Sequence, residues 1–172
     1  SLEYPYVYFG KHYSPDKKHY EGKIMLSRFP AIDTVSYLTA PYRGHGFGMY
    51  VDMQIHGDTI WVYNLHLESI GFRHEDYKFV NDVAKGRAQQ QDIRRGSSSI
   101  IRKLQRGFYL RSGETEEVVN NLKKCPYKVI ILGDFNDTPL SYAYHKISEG
   151  LDDAFIEAGY GLGNTFAGNL PP

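Results

Sequence analysis

Apolar and polar positions alternate most regularly between residues 47 and 68. Phe47, Met49, Val51, Met53 and Ile55 are separated by Gly48, Tyr50, Asp52, Gln54 and His56, a period of two that presents one face of a strand to a core. Gly57 and Asp58 read as a tight hairpin. The returning stretch, Thr59 to Ser69 (TIWVYNLHLES), sets Ile60 and Val62 on one face with Asn64, His66 and Glu68. That face turns from apolar to polar as the strand ends. A second pattern occurs at Val129, Ile130, Ile131 and Leu132, a continuous apolar run that predicts a strand covered on both faces.

Around these two strands the rest of the chain reads more simply. Aromatic residues at about every second position from Ser1 to Tyr13 predict a strand, and Tyr20 to Ser27 predicts another, which leaves its sheet through Pro30. Residues 70 to 111 read as a loop followed by a helix, with Ile93, Ile100, Ile101, Leu104 and Phe108 as a loose apolar stripe that Gly96 interrupts. Ser112 then serves as the cap of a second helix, reaching Lys124, with Glu114, Glu116 and Glu117 early and Lys123 and Lys124 late, an order that complements the helix dipole. Ser141 caps a short helix ending near Gly150, and Leu151 to Pro172 is punctuated by glycine.

Composition sharpens this picture in three places. With 172 residues, 41% hydrophobic and 15% aromatic, the chain suffices for one domain with a sizeable core. Twenty basic and twenty acidic residues cancel, which argues against a uniformly electropositive protein gripping a long polyanion. The balance is uneven along the chain, however: Lys85, Arg87, Arg94, Arg95, Arg102, Lys103, Arg106 and Arg111 face the single acid Asp92. That run fits either an anion-binding surface or a solvated helix face balanced by acids elsewhere. The single cysteine, Cys125, excludes an internal disulfide and leaves the redox compartment open. Within these residues there is no run of about 18 apolar positions and no export leader, so the cellular address is not legible.

Candidate chemistry concentrates where the two patterned strands end. After Leu132, Gly133 lets the backbone turn or approach a neighbour closely, and Asp134 and Asn136, two apart, project from one face of an extended chain. GDFNDTP also reads as a plain turn rich in Asp, Asn and Pro. The polar end of the upstream strand, with Asn64 and His66, weighs against that. The glycine-rich loop Tyr42 to Gly46 (YRGHG) adds Arg43 and His45 as candidates for substrate contact or as ordinary surface.

GDFNDTP and VYNLHLES together resemble motifs of the endonuclease/exonuclease/phosphatase superfamily, which includes pancreatic deoxyribonuclease, abasic-site endonucleases, neutral sphingomyelinases and inositol polyphosphate 5-phosphatases. GKIMLSRFP at Gly22 to Pro30, and LDDAF with NTF near the end, look like lesser matches, so the resemblance runs over nearly the whole chain. It implies an α/β (α+β) fold: a four-layer α/β/β/α sandwich of two packed mixed sheets flanked by helices, here incomplete at both ends. It further implies metal-dependent hydrolysis of phosphate esters. Asp134 would deprotonate or orient the attacking water and is the candidate metal ligand within these residues. Asn136 would hold that aspartate and the phosphate, and His66 with Asn64 would donate to phosphate oxygens. Mg²⁺, or Mn²⁺ in its place, would supply the remaining positive charge. The substrate class is a phosphate ester, with nucleic acid among the candidates. HLES looks most like the tyrosyl-DNA phosphodiesterase branch.

The departures are equally specific. Members of the superfamily carry a metal-binding glutamate in a Gln-Glu motif upstream and an Asp-His pair downstream. Within residues 1 to 172 no Gln-Glu pair precedes Gly22 and no Asp-His pair is present. Residues 1 to 172 are accordingly expected to be the central part of one such domain, catalytically incompetent alone, with exposed sheet edges that favour aggregation, dimerisation or completion by further residues. The competing class is a degenerate member that grips phosphate or protein without hydrolysing anything.

Overall fold

The computed structural model describes residues 3–13, 20–33, 36–41 and 46–159. They fall into two compact units, one holding Ser1–Glu68 with Leu110–Ile147, the other Ser69–Tyr109 with Ser148–Pro172. Arg43 and His45, and the NTF stretch at 164–166, lie outside the described residues.

The first unit is an α+β sandwich. Strands β1 (Tyr6–Tyr13) and β2 (Tyr20–Ser27) form an antiparallel pair. Strands β3 (Ser36–Thr39), β4 (Gly46–Ile55), β5 (Asp58–His66) and β6 (Lys128–Asp134) form a second sheet in that order. The second sheet is mixed, because β6 runs parallel to β5 while the other pairings are antiparallel. Between the sheets lie Met25, Met49, Val51, Met53 and Val62, joined by Tyr8, Ala31, Ile55 and Ile60. On the other side of the second sheet, Tyr63, Leu65, Leu67, Leu38 and Phe47 meet Val118, Ala143 and Ile147. Those last three come from helices α2 (Gln90–Leu122) and α3 (Tyr142–Ile147).

The predicted strands are present, with informative differences. Phe47 does not share a face with Met49, Val51 and Met53. The β3–β4 register passes from Leu38↔Gly48 to Thr39↔Gly46, so Phe47 is the extra residue of a β-bulge and turns to the helix side, where it is 1% exposed. The opposite face of β4 is covered as well, because Tyr50 stacks on Tyr63 with ring centroids 5.0 Å apart and lies 4.7 Å from Trp61. The hairpin turns one residue earlier than expected. His56 and Gly57, at φ 50° and 94°, are its two central residues, and Asp58 already pairs with Ile55.

Strand β6 departs most from its expected burial. Val129 and Ile131 pack on the helix-side core, but Ile130 and Leu132 are 41% and 53% exposed. Among the described residues one face of β6 is covered, not both, because β6 is the outermost strand of its sheet and the two-stranded β1–β2 layer does not extend over it. Pro30 to Ile32 crosses between the sheets rather than merely leaving one: Ile32 N–H donates to the Asp52 carbonyl at 2.8 Å and Gln54 N–H to that of Pro30 at 3.0 Å. Ser27 and Arg28 serve structure, the hydroxyl accepting from Phe29 N–H at 2.9 Å and the guanidinium pairing with Glu3.

In the second unit, helix α1 (His74–Ala84) opens on Asp76, whose carboxylate accepts from Arg73 N–H at 2.7 Å and pairs with Lys103. Gly96 does not interrupt α2. A Cβ there would lie 2.3 Å from the Phe79 ring, so glycine is what lets α1 and α2 approach. A short helix α4 (Ala154–Ala158), which the sequence pattern does not announce, is capped by Asp153, which accepts from Phe155 N–H at 2.7 Å.

Helix α2 corrects the expectation of two helices. It continues through Ser112 and Gly113 without a break, so Ser112 is not a cap. Arg111, Glu114, Thr115 and Val118, at helical spacing, are all 2% exposed or less. Burial of that stripe outweighs the local preference of Ser-Gly for a helix end. By contrast Ser141 does cap α3, its hydroxyl accepting from Tyr144 N–H at 3.1 Å.

Candidate active site at the ends of β5 and β6

Parallel pairing of β5 with β6 sets the site. The register runs from Ile60↔Lys128 to His66↔Asp134, so the last residues of the two strands stand directly opposite one another, about 4.8 Å apart in the backbone. Both side chains are exposed, and opposed residues of adjacent strands share a face. That is the face of Asn64, whose Nδ2 donates to the Ile24 carbonyl of β2 at 3.1 Å.

Close approach at this point depends on Gly133. It has φ 142°, and a Cβ there would fall 2.0 Å from the Leu65 carbonyl oxygen. The chain after Asp134 folds back on itself instead of staying extended, so Asp134 and Asn136 do not project from one strand face as their spacing predicts. Asn136 N–H donates to Asp134 Oδ1 at 2.9 Å, and Asn136, at φ 49°, uses Nδ2 to reach the Leu67 carbonyl at 2.8 Å. Leu67 N–H in turn donates to the Asp134 carbonyl at 3.0 Å. Asn136 therefore holds the aspartate through its backbone and locks the two strand-end loops through its side chain.

Behind the loops stands a buried charged network that the sequence pattern does not reveal. Arg111, 1% exposed, donates through Nε to Asp137 Oδ2 at 2.8 Å and through NH1 to the Glu68 carbonyl at 2.9 Å. Glu114 Oε2 accepts from Glu68 N–H at 2.7 Å. Burial pushes the Glu114 carboxyl up to about 7, against the opposing pull of the Glu68 N–H. In sequence Arg111 belongs to the basic run and Glu114 to the acids that favour a helix start. Their spacing from Val118 and Leu122 on one helix face is the one clue to their burial.

The structure thus brings together His66, Asp134 and Asn136, and places Asn64 on the same face with its amide engaged by β2. The resemblance read from the sequence implies a divalent metal, and the donor set tests that. Among the described residues no three His, Cys, Asp or Glu side chains converge to hold an ion. Asp134 is exposed and suited to be one ligand, but the described residues do not compose a magnesium site by themselves.

No protein-family model and no curated protein matches the chain. Among solved structures it is similar to the 275-280 form of beta toxin from Staphylococcus aureus, with a TM-score of 0.51 and 15% identity over 87% of this chain and 50% of that one. A β-hairpin deletion mutant of the same toxin agrees equally well, with TM-score 0.51 and 15% identity over 87% of this chain and 51% of that one. The chain spans about half the length of the solved structures it matches. At that identity the likeness is one of fold, and the fold is the α+β sandwich of the deoxyribonuclease I type.

Proposed function

We propose that this chain carries part of the active site of a phosphate-ester hydrolase of the endonuclease/exonuclease/phosphatase superfamily. The observation that supports it most is the direct opposition of His66 and Asp134 at the ends of adjacent parallel strands. Phosphate esters resist hydrolysis because water is a poor nucleophile and the phosphoryl oxygens are already negative. Asp134, held at Oδ1 by Asn136 N–H, has a second oxygen with which to orient water or take its proton. His66 would donate to a phosphoryl oxygen on the same face, and Asn64 could join it by releasing Ile24. In such hydrolases a divalent ion neutralises phosphoryl charge. Its remaining ligands are not among the described residues, and no step assigned to Asp134 or His66 depends on it here.

The test is Asp134→Asn, which keeps the acceptor for Asn136 N–H and removes the basic oxygen. Turnover of a model phosphodiester with magnesium is expected to fall by roughly 10²- to 10⁴-fold, with little change in melting temperature. The measurement belongs to a longer protein that contains this chain, since residues 1 to 172 are expected to be inactive alone. Equal activity in wild type and variant would remove Asp134 from the mechanism. A stable, phosphate-binding wild-type protein without turnover would favour the non-catalytic member of the same fold. A nucleic acid and a small phosphodiester, assayed side by side, distinguish the substrate classes.

A further inference from the structure

The second unit presents a surface that hydrolysis does not use. Within α2, Arg94, Arg95, Arg102 and Arg106 are all exposed, and none enters an ion pair among the described residues. At about 100° per residue, Arg95, Arg102 and Arg106 form one row. Arg94, Ile101, Gln105 and Phe108 form a neighbouring row, with Ser98 and Tyr109 between them. The inward side is accounted for, since Gly96 meets Phe79 and Lys103 pairs with Asp76 of α1. On the outward arc Ile101 is 52% exposed, Phe108 50% and Tyr109 59%.

We propose that this arc, from Arg94 to Tyr109, is an interfacial surface that rests on an anionic lipid bilayer. A row of arginines alone would suit any polyanion. The apolar members of the adjoining row decide between occupants: Ile101 and Phe108 have no complement on a phosphodiester backbone, but match the boundary between headgroups and acyl chains, with arginines meeting the lipid phosphates beside them. The arc runs about 22 Å along the helix, at about 1.5 Å per residue, and Asp92 is the single acid between Lys85 and Arg111. No helix among the described residues is long and apolar enough to cross a membrane, so the contact is one of surface association. It does not depend on the hydrolase reading.

The experiment is sedimentation of the full chain with vesicles of phosphatidylcholine alone and with vesicles in which about a third of the lipid is phosphatidylserine. Binding to the anionic vesicles only, weakened by added salt, is expected. The triple charge reversal Arg95→Glu, Arg102→Glu and Arg106→Glu should abolish it. The pair Ile101→Ser and Phe108→Ser should weaken it by about tenfold or more while leaving the salt dependence in place. Circular dichroism and melting temperature establish that the variants fold, and the salt response of the wild type serves if one does not. No binding to anionic vesicles, or equal binding to both kinds, overturns the proposal. So does binding of duplex DNA that the arginine reversals abolish and the serine pair leaves untouched, with vesicle binding weaker than it.

Discussion

Arg111 and Asp137 form a buried ion pair, Nε to Oδ2 at 2.8 Å, with side chains 1% and 9% exposed. One comes from the helix that packs under the second sheet and the other from the loop that follows Asp134. The same guanidinium reaches the Glu68 carbonyl just after His66. A single side chain therefore ties together the two loops that carry the candidate catalytic residues.

Removing Arg111 leaves the Asp137 carboxylate buried without its cation. Arg111→Ala should cost about 3–5 kcal/mol, measured by urea unfolding. Arg111→Lys should cost less, because an ammonium restores the charge but cannot reproduce the planar fork that serves carboxylate and carbonyl together. A loss under about 1 kcal/mol for the alanine variant would show that the pair contributes little.

Glu114 supplies a pH dependence of definite sign. Its folded carboxyl titrates at about 7, above its ordinary value of 4.5, so between those values the folded state binds more protons than the unfolded one. Stability should then fall as pH rises through that window and level off above it. Glu114→Gln keeps an acceptor for Glu68 N–H and removes the charge. Melting temperatures across the window should show a smaller decline for the variant than for wild type. Parallel curves would place the titration elsewhere.

Gly133→Ala tests how the strands close on the site. The added methyl would meet the Leu65 carbonyl oxygen at 2.0 Å, in a backbone conformation that residues with a side chain rarely adopt. The expected loss is about 3 kcal/mol or more, with amide exchange accelerated along β5 and β6. A variant as stable as wild type would mean that this stretch of β6 adopts another backbone conformation.

Thr115 is fully buried, and its hydroxyl has no hydrogen-bond partner among the described residues. Thr115→Val keeps the shape and removes the orphaned group. A gain of about 1 kcal/mol is expected, read as a rise in unfolding midpoint at unchanged slope. A loss would indicate that water or another group satisfies the hydroxyl.

The polar ends of β5 and β6 are legible in the amino-acid sequence, because period-two alternation states which residues share a strand face, but the turn at Asn136, with φ 49°, is set by the fold where the pattern reads extended. Asn64, His66, Asp134 and Asn136 can be named on that basis, as can the Ser141 cap, whose effect is local. Alternation puts Phe47 on the wrong face because a bulge depends on the register with β3, which the pattern within β4 does not contain. The continuous run from Val129 to Leu132 makes Ile130 and Leu132 look buried, since an apolar run reads the same in a central strand and at an edge that only one layer covers.

Tertiary structure alone decided the opposition of His66 and Asp134, which are 68 residues apart and meet only through the parallel register of β5 and β6. It also decided the parts played by Arg111 and Glu114. In sequence they are one more base and one more acid on a polar helix, and Ser112–Gly113 beside them looks like a boundary. A charge becomes buried only when something else covers it, and here the cover comes from strands and loops distant in the chain. Sequence periodicity specifies the faces that each element offers, and packing determines which of them meet.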